Sequence, residues 1–118
     1  MSLKTIQQLI ADTTKHVPTL DAATAKRERA ENGGYLIDVR EPGEVAMKQA
    51  QGAHNIPRGV LEMKITELCP VASDPIYLHC ASGGRARLSA AQLLLMGYQQ
   101  VVAISNDVDE VCRIFSDD

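Results

Sequence analysis

The chain contains no tryptophan, one phenylalanine and three tyrosines, so aromatics make up only 3% of its 118 residues. Its core is therefore expected to be aliphatic, and stacking of bases on aromatic side chains, the usual means of gripping a single strand, is disfavoured. Positive charge is also short: twelve Lys plus Arg against fifteen Asp plus Glu leave a formal net charge of −3. A general nucleic-acid binder carries a basic excess, so no nucleic-acid partner is expected. Histidine is sparse, at His16, His54 and His79, and the three cysteines, Cys69, Cys80 and Cys112, form no CxxC pair. That spacing offers no zinc site, and neither a metal nor a cofactor is expected. No stretch approaches the roughly 20 apolar residues of a membrane span, and the first residues hold no apolar run of signal-peptide length. The expectation is one reduced, cytoplasmic domain with no membrane partner, in which a cysteine is reactive or buried rather than bridged.

What the chain does have is alternation. Leu3, Ile6, Leu9 and Ile10 recur at helical spacing, with Ser2 as a candidate cap. A second helix is expected over Ala22–Glu31, capped by Asp21 and stopped at Asn32-Gly33-Gly34. Residues 1–34 thus read as a helical amino-terminal extension packed on a domain of residues 35–118. Three apolar runs, Tyr35–Val39, Ile76–Cys80 and Gln100–Ile104, suit strands buried on both faces of a parallel sheet, and Ala53–Ile56 reads as a shorter one. Between them fall helical patterns at Pro42–Lys48, Leu61–Leu68 and Ala86–Met96, with a closing helix over Asp107–Phe115. Strands alternating with helices predict an α/β fold, a central and mostly parallel sheet flanked by helices in three layers.

In such sheets ligands bind at the carboxyl ends of the strands. The segment with chemistry at such a place is Cys80-Ala81-Ser82-Gly83-Gly84-Arg85. A cysteine ends a buried strand, two glycines let the backbone curl, and a helix follows. That arrangement aims backbone N–H groups at one point, an anion-binding nest at a helix amino terminus. A thiol held there is expected in its nucleophilic thiolate form. Arg85, with Arg87 and Lys64, is expected to form a basic rim. His79 precedes Cys80 and, on a strand, points to the opposite face, so it is poorly placed as a base for that thiol. Cys112, at helical spacing with Val108 and Phe115, reads as core, and Cys69 lies at a helix end before Pro70.

These residues resemble a known family. Leu36-Ile37-Asp38-Val39-Arg40-Glu41-Pro42 with Glu44 is similar to the aspartate-valine-arginine motif of single-domain rhodaneses, which are sulfurtransferases. Gly52-Ala53 with Asn55-Ile56-Pro57, the Cys80–Arg85 loop, and Ala90-Ala91, Leu94 and Gly97 resemble further segments of that family. The likeness runs from Tyr35 to Val111, about two thirds of the chain. It implies a rhodanese-like fold and a Cys80 that takes a sulfane sulfur from thiosulfate or a persulfide, holds it as a persulfide and passes it to a thiol or cyanide. Ala81, Ser82, Gly83, Gly84 and Arg85 would then cradle the anion, and Asp38 and Arg40 would support the loop rather than do chemistry. Small sulfur-containing anions and a sulfur-accepting protein are the partners implied.

The chain departs from the family pattern at Lys48-Gln49-Ala50-Gln51, at Asn106-Asp107, and at Val45 and Val111, where aromatics are usual. These changes touch pocket walls, not the nucleophile. Four residues separate Cys80 from Arg85, one fewer than in related cysteine phosphatases, so the smaller loop suits sulfur better than phosphate. A non-catalytic binding or sulfur-relay module remains as the alternative class.

Overall fold

The computed structural model describes residues 2–116. Its elements run α1 (Ile6–Thr13), β1 (Thr19–Leu20), α2 (Ala22–Asn32), β2 (Tyr35–Asp38), α3 (Pro42–Met47), β3 (Ala53–Asn55), a 3-10 turn (Arg58–Val60), α4 (Leu61–Leu68), β4 (Ile76–His79), α5 (Gly84–Met96), β5 (Val101–Ile104) and α6 (Val108–Ile114). The five strands form one sheet in the order β1-β5-β4-β2-β3. Every pairing is parallel, as the expected crossover helices require.

The strands read as continuous apolar runs because both faces are covered. Ile37, Val39, Leu78 and Cys80 join Leu61, Ile65, Ala90 and Leu93 in one core, beneath α4 and α5. Leu36, Tyr77 and Ile104 join Ala22, Ala25, Val111 and Cys112 in the other, beneath α2 and α6. Each fully buried Leu or Ile contributes about 1.5–3 kcal/mol of hydrophobic stabilisation. The alternation along a strand also decides the site. Asp38 and His79 pair in register on β2 and β4, one step from Val39 and Cys80, which belong to the opposite core.

Three local features differ from the sequence expectation. Helix α1 starts at Ile6 and is capped by Thr5, not Ser2. Thr5 Oγ1 accepts from the Gln8 amide at 3.1 Å while Gln8 Oε1 accepts from the Thr5 amide at 2.8 Å. This reciprocal capping box satisfies two amino-terminal donors, which Ser2, with a Thr three residues on, cannot arrange. Residues Thr19–Leu20 form a short strand at the edge of the sheet, beside β5, that no periodicity of two residues could signal. Helix α5 starts two residues early, at Gly84, because Gly83 takes a left-handed cap conformation. Among the described residues no helix is long and apolar enough to cross a membrane.

Candidate active site

Cys80 follows directly on β4, and the chain curls over it before entering α5. The turn depends on Gly83, whose φ of +99° lies in the region that residues with a Cβ avoid. This conformation swings the Gly83 amide back onto Cys80 Sγ at 3.0 Å. The Ala86 amide, in the first turn of α5, reaches the same sulfur at 3.3 Å. The sulfur thus accepts from two backbone donors at the positive end of a 13-residue helix, where partial charge favours an anion. The loop is fixed from outside by the Val108 amide of α6, which donates to the Ala81 carbonyl at 3.0 Å. Ser82 lies exposed at the loop's tip, and Gly84 is packed so that a Cβ there would meet Ile10 Cδ1 of α1 at 3.1 Å.

Arg85 is engaged. Its Nη1 and Nη2 donate to Glu44 Oε1 and Oε2 at 2.7 and 2.9 Å, a bidentate pair between α5 and α3. The Arg85 guanidinium, followed by the Glu41 amide, holds the Glu44 carboxyl down at about 2. Glu44 raises Arg85 in return, and charge on Cys80 adds to that effect. The basic rim expected from Arg85, Arg87 and Lys64 is therefore reduced by one member.

Asp38 and Arg40 form the support beneath. Both are buried, and Arg40 Nη2 donates to Asp38 Oδ2 at 2.7 Å while Nε reaches both carboxylate oxygens at 3.1 Å. Arg40 also donates to the Lys48 carbonyl at 2.6 Å and the Glu44 carbonyl at 3.4 Å, tying down α3. Asn55 closes the turn by donating to the Asp38 and Arg40 carbonyls, both at 2.9 Å. A buried ion pair thus positions the helix that carries Glu44, and Glu44 positions Arg85. Glu44 sits in the first turn of α3, where the helix dipole alone would favour a carboxylate. Its partner lies 41 residues away, a distance no local pattern bridges.

His79 borders the buried Asp38–Arg40 pair. It is fully buried, burial pushes its pKa down, and its Nε2 lies 3.5 Å from Asp38 Oδ2. Cys69 is fully buried with its thiol pushed up to about 12 by burial, and burial likewise raises Cys112. All three thiols are free. No group of three or more His, Cys, Asp or Glu residues among the described ones is placed to hold a metal.

The sequence and the five-stranded parallel fold are matched by known proteins. The model of the Rhodanese-like domain matches residues 21–113, and the chain belongs to that family. A Schizosaccharomyces pombe protein provisionally named as a mitochondrial thiosulfate sulfurtransferase is 30% identical over 88 residues, covering 65% of this chain and 62% of the relative. A Bacillus subtilis protein provisionally named as the sulfur carrier YrkF is 32% identical over 69 residues, 58% of this chain and 36% of its own length. The chain therefore spans less than two thirds of either relative. Among solved structures, an Escherichia coli rhodanese with anions superposes with a TM-score of 0.62 at 27% identity, over 65% of this chain and 89% of that one. A Rhodopseudomonas palustris protein of unknown function, named a possible tyrosine phosphatase, superposes with a TM-score of 0.81 over 96% of this chain and 92% of that one. Its identity is 21%, so it speaks to fold alone.

Proposed function

We propose that the chain is a sulfurtransferase in which Cys80 carries sulfur as a persulfide. The observation that carries this reading is the convergence of the Gly83 and Ala86 amides on Cys80 Sγ. Two fixed donors stabilise a negative sulfur without reorganising as the reaction proceeds. The thiolate attacks the outer sulfur of a sulfane donor, an Sγ–S bond forms and the donor's S–S bond breaks. With thiosulfate, sulfite leaves with the electron pair; with a persulfide, a thiolate does. The single negative charge, now on the outer sulfur of the Cys80 persulfide, stays beside the same cradle, and an acceptor thiolate or cyanide attacks that sulfur and restores the Cys80 thiolate. This is covalent catalysis by an activated thiol. Asp38 and Arg40 hold the scaffold and take no proton.

The test is mass spectrometry of the intact chain after incubation with thiosulfate and with a persulfide donor. A one-sulfur adduct is expected, mapped to Cys80, discharged by cyanide and absent in Cys80→Ser. No adduct with either donor overturns the reading. Likeness to a protein named as a sulfur carrier favours a second form of it, in which the Cys80 persulfide is loaded and unloaded by a partner protein rather than turned over with small molecules. A stable adduct with slow discharge to cyanide marks that form. Hydrolysis of a generic aryl phosphate, in contrast, requires the larger phosphatase loop and is expected to be absent.

A further inference from the structure

The proposed sulfur transfer leaves open which sulfane donors the site accepts, and the charge arrangement bears on that. Arg85 is the cation nearest the nucleophile in sequence, and Glu44 occupies its guanidinium in a two-point pair. Three further cations near this edge are also held in ion pairs, while Lys64 on α4 forms none among the described residues. Arg40 after β2 is bound to Asp38, Lys48 after α3 to Asp109, and Arg58 after β3 to Glu62. Arg87 is exposed and forms no ion pair among the described residues, but residues two apart on a helix do not share a face, so it does not stand in for Arg85.

We infer that Glu44 sets the donor class of this site: by holding the Arg85 guanidinium it withholds the loop's cation from a dianionic donor, leaving the site better suited to low-charge persulfides of thiols than to thiosulfate. This inference rests on the sulfur-transfer reading above. Thiosulfate brings two negative charges, and sulfite departs with two. The two amides on Cys80 Sγ offer partial charges only. To recruit Arg85, thiosulfate must displace both carboxylate oxygens and leave Glu44 beside it as a like charge. A persulfide of a neutral thiol carries at most one charge, on the sulfur that is transferred, and needs no such exchange.

The pair is about one-third exposed on each side, 36% for Arg85 and 38% for Glu44, so its strength is that of a well-aligned surface pair. Releasing Arg85 from such a pair is expected to improve kcat/KM for the dianion by about five- to tenfold.

The experiment compares loading of Cys80 by thiosulfate and by the persulfide of 2-mercaptoethanol, in the unaltered chain, Glu44→Gln and Glu44→Asp. Glu44→Gln is expected to raise the thiosulfate-to-persulfide ratio of kcat/KM about five- to tenfold, through a lower KM for thiosulfate. Glu44→Asp, which keeps the charge, is expected to return the ratio toward that of the unaltered chain. An unchanged ratio, or an equal loss with both donors, overturns the inference and makes Glu44 a structural prop. Should Glu44→Gln not fold, alkylation of Cys80 by uncharged iodoacetamide in the unaltered chain gives the answer. Sulfate, an inert dianion, is expected to give no protection, and protection by sulfate overturns the inference. Failure of both donors to load Cys80 at all refutes the sulfur-transfer reading instead, so the two failures are distinguishable.

Discussion

Replacing Gly83 by alanine separates the backbone geometry of the loop from the stability of the fold. At Gly83 a Cβ would meet the Ser105 carbonyl oxygen at 3.7 Å and the Ile104 carbonyl oxygen at 3.9 Å, ordinary contact distances. Space is therefore not the obstacle; the φ of +99° is. Forcing an alanine into that region costs about 1–2 kcal/mol. The chain will relieve the strain by rotating the residue, which turns the Gly83 amide away from Cys80 Sγ. Loss of one fixed donor from an anion cradle typically slows the chemistry by roughly 10²–10³-fold. Gly97 supplies the control, because its φ is +110° and nothing lies within 4 Å of its would-be Cβ, at the far end of α5. Gly83→Ala and Gly97→Ala should thus lose similar stability in urea unfolding, about 1–2 kcal/mol each. Only Gly83→Ala should also slow persulfide formation, followed by stopped-time mass spectrometry. Equal rates in the two variants would show that the Gly83 amide contributes nothing to the sulfur chemistry.

Arg40→Ala leaves the Asp38 carboxylate buried and unpaired and frees α3, so urea unfolding should show a loss of about 3–5 kcal/mol. Native-state alkylation followed by peptide mapping should leave Cys69 unmodified at pH 8, since burial holds its thiol up at about 12. Glu44 lies at about 2 when folded against an ordinary value of 4.5, so its contribution to stability is fully present above 4.5 and fades as pH falls through 2. The stability difference between the unaltered chain and Glu44→Gln should accordingly be constant above pH 4.5 and shrink below it. The buried His79, pushed down by burial, has the opposite consequence from a paired histidine. The unfolded chain takes up its proton first, so stability should fall as pH drops below 6.5, and His79→Gln should flatten that part of the profile.

Most of the fold was legible because its signals are local. Tyr35–Asp38, Ile76–His79 and Val101–Ile104 are apolar runs of strand length, and Asp21 and Gly33 mark the ends of α2 with a cap hydrogen bond and a left-handed residue. Strand β1 was not legible, since Thr19 and Leu20 gain their strand character only from pairing with Ala103 and Ile104. The cap of α1 was readable in principle, because Thr5-x-x-Gln8 is a capping box, but an apolar residue at Leu3 drew the helix start too early. Leu3 is in fact 97% exposed. At the site, Cys80 and its glycine-bearing loop announce themselves by composition. The role of Glu44 does not, because it is created by the ion pair that joins α3 to Arg85 at the start of α5. An arginine that looks free in sequence is half of an ion pair in space.

In the proposed reaction the sulfur is carried on Cys80 Sγ, held by two backbone amides. The most direct measurement is the intact mass of the chain after exposure to a sulfane donor, with and without cyanide. A gain of one sulfur is expected on the peptide containing Cys80, removed by cyanide and absent in Cys80→Ser. A chain that stays unmodified with both thiosulfate and a thiol persulfide, or one that is modified equally well in Cys80→Ser, contradicts it.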